Sequence, residues 1–262
     1  MAREQVNEYV APYKLFAGSV KDQMPLLMKD EDVRVPISVS GFMKRLLEVL
    51  NGDFSPEIKE GWDTCITTGD AVAYHPDGKA KFILDSVDLR KVNPQSKVVK
   101  GALVLPHGAY EALEGEEITI GHCRWSTHGG VTEDTKSNLL QFLARDAKVL
   151  SDYADLMSER YKNSEWYTGM RVRLAERQVF PTLMPINLPY YGGVINASDA
   201  CCGNLEDPDA RLIGVAIPGV KDEGVLRSPL ESKVAAAINS RQAFDHNGTF
   251  YVPVADKEVT RK

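Results

Sequence analysis

The longest apolar stretch of this 262-residue chain is six residues long, from Leu212 to Ile217, and even this stretch contains a glycine. A membrane-spanning helix needs about 18 or more apolar residues, whereas a buried strand needs about four to eight. We therefore expect short strands and amphipathic helices, and no membrane partner. The 31 Lys and Arg residues against 37 Asp and Glu residues give a net charge of −6, which argues against nucleic acid as the partner.

Three segments carry the signals of helices. Phe42, Leu46, Val49 and Leu50 follow the spacing of one helix face and predict a helix over residues 42–50, with Ser40 as its N-cap. A longer apolar stripe predicts a single helix from about 137 to 162. A capping box at 228–231 predicts a short helix that ends near 239.

Other segments have the patterns of strands. Residues 71–84 have the pattern of a hairpin whose turn is His75-Pro76-Asp77-Gly78. Further short strands are predicted at 33–39, 102–105, 118–120, 211–217 and 249–254. The segment 180–209 is rich in Pro, Gly and Asn and is predicted to be an irregular loop. The fold class is therefore α+β, with mixed or antiparallel sheets packed against two or three helices.

The first 35 residues lack a clear periodicity and contain Pro12 and Pro25. They are predicted to form an N-terminal arm, through which the chain would self-associate or dock on a protein partner. Residues 36–262 are expected to form one α+β domain. Its first half is 36–137, and its second half, 138–262, is a helix followed by an irregular β region.

A dense polar segment follows the strand predicted at 118–120. Arg124 can grip a carboxylate through two parallel hydrogen bonds, and Trp125 can form an apolar wall beside it. Thr127 and His128 add further polar groups, while Gly129 allows a ligand to approach the backbone closely. These five residues are the predicted binding site for a small carboxylate ligand.

The same segment resembles a known family. Its pattern is similar to the glutamine-site motif of class II glutamine amidotransferases, notably the glutaminase half of glucosamine-6-phosphate synthase, and it reads Gly121-His122-x-Arg124-Trp125-x-Thr127-His128-Gly129. The resemblance implies an N-terminal-nucleophile sandwich over about 40–135, in which the stretch 61–64 also has a counterpart. It further implies that Arg124 binds the α-carboxylate of glutamine.

The resemblance does not extend to the nucleophile. That family uses an N-terminal cysteine, whereas this chain begins Met1-Ala2-Arg3 and its first cysteine is Cys65, so no catalytic residue is assigned. The resulting hypothesis is a degenerate glutaminase-like domain that binds an amino acid or another carboxylate without hydrolysing it. The alternative is a structural or assembly protein, such as a subunit of a viral or cellular particle, with no enzymatic activity.

No metal or cofactor is predicted. The spacing of His122, Cys123 and His128 matches neither a CxxC-type zinc site nor HExxH. Cys201-Cys202 is interpreted as a packed pair rather than a redox centre. The acidic cluster of Glu111, Glu114, Glu116 and Glu117 is interpreted as a solvated loop. Residues 1–20 lack the apolar core of a signal peptide, so we expect a cytoplasmic location or a place within an assembled particle.

Overall fold

The computed structural model describes residues 12–119, 126–127, 138–160, 166–171, 179–188, 190–192, 196–217, 244–246 and 249–251. These residues form seven helices, a mixed sheet of 13 strands and a separate two-stranded sheet. This arrangement confirms the α+β class. Within this part of the chain, no helix combines the length and the apolar character that crossing a membrane requires.

The elements alternate irregularly along the chain. The helices are α1 (Val20–Met28), α2 (Val39–Asn51), α3 (Pro56–Trp62), α4 (Val87–Arg90), α5 (Ala109–Ala112), α6 (Asn138–Ala144) and α7 (Ala147–Arg160). The first strands are β1 (Tyr13–Ala17), β2 (Arg34–Pro36), β3 (Ile66–His75), β4 (Lys79–Ile83), β5 (Val98–Val99), β6 (Ala102–Val104), β7 (Glu116–Thr119) and β8 (Ser126–Thr127). The later strands are β9 (Trp166–Arg171), β10 (Thr182–Leu188), β11 (Tyr190–Gly192), β12 (Asn196–Cys202), β13 (Arg211–Ala216), β14 (Phe244–His246) and β15 (Thr249–Tyr251).

The large sheet is built around β3. Its main path runs β1-β13-β3-β10-β12-β9-β8, and β4 also pairs with β3. Most neighbours are antiparallel, but β13 runs parallel to β3, and β12 runs parallel to β9. Strands β1 and β8 therefore lie at the two ends of the path.

Strand β3 is buried on both faces, because helices cover the sheet from both sides. Val72 and Tyr74 belong to a core that includes residues of α2, α6 and α7. Ala71 and Ala73 belong to a second core that includes residues of α1, α4 and α5. Since neither face of this strand meets water, its sequence lacks the alternation of apolar and polar residues that marks a half-exposed strand.

An aromatic cluster joins β1, α2 and α3. Trp62 is fully buried, with its ring edge-on to Tyr13 at 5.0 Å between centroids and stacked on Phe42 at 6.1 Å. The guanidinium of Arg45 lies 4.9 Å from the ring centres of both Tyr13 and Phe54. These contacts add cation–π attraction to apolar burial and fix β1 against the helices.

Two helix boundaries differ from the sequence predictions. Helix α2 is capped by Ser38 rather than Ser40, since Ser38 Oγ accepts a hydrogen bond from the N–H of Gly41 at 3.1 Å. The single helix predicted over 137–162 is instead α6 and α7. Arg145 adopts a left-handed backbone conformation between them (φ 59°), and Asp146 Oδ1 accepts the N–H of Lys148 at 2.9 Å to start α7.

The N-terminal segment is more regular than expected, because residues 13–36 form β1, α1 and β2. The stripe of Val20, Met24 and Leu27, all fully buried, has helical spacing, and Pro25 lies inside the helix without ending it. The segment 180–209, predicted to be irregular, contains β10, β11 and β12. The helix predicted near 228–239 lies outside the described residues.

Candidate functional site

Four strands at one end of the sheet bring together three distant parts of the chain. These outer strands, β8, β9, β11 and β12, align in register, with Tyr190 opposite Ser198, Ser198 opposite Tyr167, and Tyr167 opposite Thr127. The four positions form one row across the sheet in the order β11-β12-β9-β8. Residues that are directly opposite in neighbouring strands lie on the same face, so one face of the outer strands carries this row.

The outer strands differ in composition from the centre of the sheet. Their sequences are Ser-Thr in β8, Trp-Tyr-Thr-Gly-Met-Arg in β9, Tyr-Tyr-Gly in β11 and Asn-Ala-Ser-Asp-Ala-Cys-Cys in β12. Half of these 18 residues are Tyr, Trp, Ser, Gly or Asn. This set dominates antibody binding surfaces, because Tyr and Trp give rigid contact area while Ser, Gly and Asn adapt their hydrogen bonds.

The structure describes the backbone of only one predicted site residue. Thr127 lies on β8, the end strand of the path, and faces Tyr167 of β9 in register. Arg124, Trp125, His128 and Gly129 lie outside the described residues, as do His122 and Cys123. The predicted carboxylate site therefore stays a prediction, but its central residues are adjacent in sequence to the outer strands.

A buried ionic cluster lies at the centre of the sheet. Asp70, on β3, is fully buried, and its Oδ2 accepts the N–H of Val39, the first residue of α2, at 2.7 Å. Its Oδ1 accepts the N–H of Asp85 at 2.7 Å and a hydrogen bond from Arg145 Nη2 at 3.1 Å. The carboxylate thus satisfies one orphan N–H at a helix start and connects α2, the segment after β4 and the bend between α6 and α7 to β3.

Two arginines and a second carboxylate complete this Asp70 cluster. Arg145 Nη2 also lies 3.0 Å from Asp85 Oδ2, and Arg90 Nη2 lies 3.9 Å from Asp85 Oδ1. Asp85 has a left-handed backbone conformation (φ 49°), as Arg145 does. The side chains of Asp85 and Arg145 are partly exposed, so the cluster reaches the surface on one side.

Burial has the largest effect on the pKa values of Asp70 and Arg90 in this cluster. It raises the pKa of Asp70 to about 6, and the nearby Asp85 carboxylate acts in the same direction against Arg145 and the two backbone N–H groups. Burial also lowers the pKa of Arg90, against the attraction of Asp85 and Asp70. Sequence reasoning missed this cluster, although an aspartate directly before the run Ala71-Val72-Ala73-Tyr74 was a usable signal.

A second polar cluster lies at the tip of the β3–β4 hairpin. His75 is placed between two carboxylates, with Nδ1 2.6 Å from Asp77 Oδ1 and Nε2 3.6 Å from Glu111 Oε1. Its ring packs 4.9 Å from that of Tyr110, whose pKa is raised by burial and then by Glu117. Glu111 and Glu117 are therefore not simply solvated, since each contacts a buried or half-buried group.

The described residues contain no group of His, Cys, Asp and Glu side chains arranged to hold a metal ion. Cys65 is largely buried, and burial followed by the charge of Asp207 raises the pKa of its thiol to about 11. At neutral pH this thiol is protonated and therefore a poor nucleophile.

Comparison with known proteins identifies the fold. No family model and no curated protein matches the chain. One solved structure is similar over 78% of this chain and 97% of its own length. It concerns the accommodation of massive sequence variation in Nanoarchaeota by the C-type lectin fold. The TM-score is 0.54 and the sequence identity is 12%, so the similarity shows a C-type lectin fold and nothing further.

This finding overturns the resemblance to class II glutamine amidotransferases. A nine-residue pattern at 121–129 does not specify a topology, and the fold that surrounds it is a different one. The stretch at 61–64, which belonged to the same resemblance, has a structural explanation. Trp62 is the buried centre of the aromatic cluster.

Proposed function

We propose that this chain is a non-enzymatic binding module and that its ligand surface is the end of the sheet formed by the outer strands. The observation that carries this proposal is the register row of Thr127, Tyr167, Ser198 and Tyr190. It unites three segments whose composition is that of a binding surface rather than of a core.

The scaffold supports the same function. The outer strands extend from a sheet whose central strand is buried on both faces, and rigid elements position a binding surface more accurately than loops do. The similar protein from Nanoarchaeota shows that a C-type lectin fold accommodates massive sequence variation. A scaffold that tolerates variable residues is suited to presenting a recognition surface.

The ligand that we propose carries a carboxylate. Arg124 is two residues before β8 in the sequence, and its guanidinium matches a carboxylate with two parallel hydrogen bonds. Trp125, between Arg124 and β8, would provide an apolar contact beside the charge. The pairing of β8 with β9 would bring this carboxylate grip next to the register row.

Calorimetric titration tests the carboxylate preference. The probes are L-glutamate, a short peptide with a free C-terminal carboxylate and the same peptide with a C-terminal amide. We expect the carboxylate peptide to bind at least about tenfold more tightly than its amide form, because the amide cannot accept the bidentate arginine contact. Arg124→Ala should abolish that difference.

The matched control is Lys148→Ala, which removes one positive charge from an exposed side chain of α7. It should leave both peptide affinities unchanged. Three results would each overturn the carboxylate proposal. They are equal binding of the two peptide forms, an Arg124→Ala protein that still prefers the carboxylate peptide, and no binding of any probe.

A second candidate function is self-assembly, and the outer edge of β1 favours it. The N–H of Ala216 donates to the carbonyl oxygen of Pro12, and the N–H of Gly18 donates to the carbonyl oxygen of Ala210, each at 2.9 Å. These two bonds set the alternation of the β1–β13 ladder. The backbone groups of Tyr13, Leu15 and Ala17 therefore point away from β13. No described residue pairs with that side of β1, so it offers an edge on which a second copy could add its own β1.

Light scattering of the purified chain tests the assembly candidate. We expect a dimer, and we expect Ala17→Pro to convert it to a monomer, because proline removes an outward N–H without affecting a bond to β13. Lys14→Ala, an exposed change that keeps every backbone N–H, serves as the control. A wild-type chain that stays monomeric at high concentration contradicts the assembly function.

A further inference from the structure

Helices α6 and α7 belong to one excursion from the outer strands. The chain leaves the sheet at β8, forms α6 and α7, and returns at β9, where Ser126 pairs with Thr168 and Thr127 pairs with Tyr167. The two ends of the excursion are therefore neighbouring strands. Helices α6 and α7 both contact β9, and β9 pairs with β8, so the position of the helices bears on both strands.

The bend between the helices is tied to the centre of the protein. Arg145 Nη2 reaches Asp70 Oδ1 at 3.1 Å and Asp85 Oδ2 at 3.0 Å, and neither aspartate belongs to the excursion. A second ionic tie joins Arg160 Nε to Asp63 Oδ2 at 3.0 Å, at the far end of α7. Between these ties, apolar side chains such as Leu143 and Met157 pack α6 and α7 on the core.

Two of the four described non-glycine residues with positive φ, Arg145 and Asp85, contact each other. The two residues are ionic partners, and both hold left-handed backbone conformations, which are unfavourable for residues other than glycine. Such strain persists only where the surroundings fix the residue, and it tends to mark switches and clamps. Arg145 is also the residue at which α6 ends, since its N–H donates to the carbonyl oxygen of Gln141 at 2.9 Å, so the ionic contact is made at the bend itself.

We propose that Arg145 is a charge-dependent latch, which holds the α6–α7 excursion, and with it β8 and β9, against the buried Asp70 and the neighbouring, partly exposed Asp85. Arg145 is thus a positioning residue for the outer strands. Its consequence for ligand binding rests on the proposed function, whereas the latch itself does not.

The groups that face the latch can be named from every side. Strand β3 contributes Asp70, the segment after β4 contributes Asp85, and α4 contributes Arg90. Helix α2 contributes the N–H of Val39. Asp146, next to Arg145, directs its carboxylate to backbone N–H groups of α7.

The contribution of Arg145 to stability depends on pH. When Asp70 is ionised, Arg145 compensates a charge that is fully removed from water. When Asp70 is protonated, that compensation is no longer needed. Because burial raises the pKa of Asp70 to about 6, the importance of Arg145 should change between pH 7.5 and pH 5.

Urea unfolding of Arg145→Gln at the two pH values tests this. At pH 7.5 the substitution leaves a buried carboxylate without its guanidinium, and we expect the unfolding equilibrium constant to rise about 100-fold or more. At pH 5 we expect a rise of less than about tenfold, since Asp70 is then neutral. Arg145→Lys, which keeps the positive charge, should recover most of the stability at pH 7.5.

Arg160→Gln is the matched control, since it removes a guanidinium from the other end of α7 and leaves the Asp70 cluster intact. Its effect should be the same at both pH values. The latch proposal would be overturned if Arg145→Gln changed stability equally at pH 5 and pH 7.5 or at neither pH. It would also be overturned if the variant were unfolded at both pH values. A protein unfolded only at pH 7.5 would support it.

Amide hydrogen exchange tests the positioning role without any ligand. In Arg145→Gln at pH 7.5, we expect faster exchange in α6, α7, β8 and β9 and unchanged exchange in β1 and β13. Faster exchange confined to the bend, or spread evenly over the protein, would contradict positioning of the outer strands. Since no ligand is added, failure of the binding proposal leaves this result intact.

Discussion

Replacing Asp70 with alanine is expected to lower the free energy of unfolding by about 3–5 kcal/mol at pH 7.5. The substitution removes the acceptor of two backbone N–H groups, those of Val39 and Asp85, and one partner of Arg145. A buried donor left without an acceptor costs about 1–3 kcal/mol, so the two N–H groups alone account for most of the loss. Asp70→Asn, which keeps one acceptor oxygen, should cost less.

The pH dependence of stability provides an independent check on Asp70. Its pKa is about 6 in the folded state against an ordinary value of 3.8, so the folded state binds the proton more tightly. The contribution of Asp70 protonation to stability is therefore fully present below about pH 4 and is lost as the pH rises through 6. Urea unfolding between pH 4 and 7.5 should show this component in the wild type but not in Asp70→Ala.

Asp88→Asn is the matched control, because it removes a more exposed carboxylate whose partner, Lys91, is also exposed. It should change stability by less than about 0.5 kcal/mol. A double-mutant cycle at pH 7.5 should show that Arg145→Gln costs little once Asp70 is alanine. Full additivity of the two substitutions, or an Asp70→Ala cost below about 1 kcal/mol, would contradict the described cluster.

The second large effect is expected at the aromatic cluster. Trp62→Ala should destabilise the protein by about 3–5 kcal/mol, because it opens a cavity in a fully buried site and removes ring contacts with Tyr13 and Phe42. It also removes the Trp62 ring, which lies 5.7 Å from the Arg45 guanidinium. The measurement is the urea midpoint at constant pH.

Trp62→Phe should lose less than half of the stability that Trp62→Ala loses, since the phenylalanine ring fills part of the cavity. Val87→Ala, at a surface position, should change stability by no more than about 0.5 kcal/mol. If Trp62→Ala were as mild as Val87→Ala, Trp62 would not be a core residue, and a packing role would no longer account for the 61–64 stretch.

Local signals explain the parts of the fold that the sequence predicts. The helix around Phe42 and Leu46 and the hairpin with Asp77-Gly78 at its turn both form where their periodicity and turn residues indicate. Other elements are hidden by a single residue. Pro25 obscures α1, while Asp146, a usable N-cap signal, lies in the middle of a continuous apolar stripe.

Non-local pairing explains what could not be predicted. The row from Tyr190 to Thr127 depends on the register of four strands from three distant segments of the sequence, and no local pattern encodes it. Asp70 acquires its role only when α2, the segment around Asp85 and the bend at Arg145 converge on it. The family resemblance of the motif at 121–129 was wrong because a short motif carries no topology.

The most direct test of the binding function is an NMR titration of the ¹⁵N-labelled protein with the carboxylate peptide. We predict that the amide signals that shift on binding belong to residues 126–127, 166–171, 190–192 and 196–202, and that the amide-capped peptide shifts them far less. Signals of β1 and β13, at the other end of the sheet path, should not move. Shifts confined to β1 and β13, or no saturable shifts with the carboxylate peptide, would contradict a carboxylate-binding surface on the outer strands.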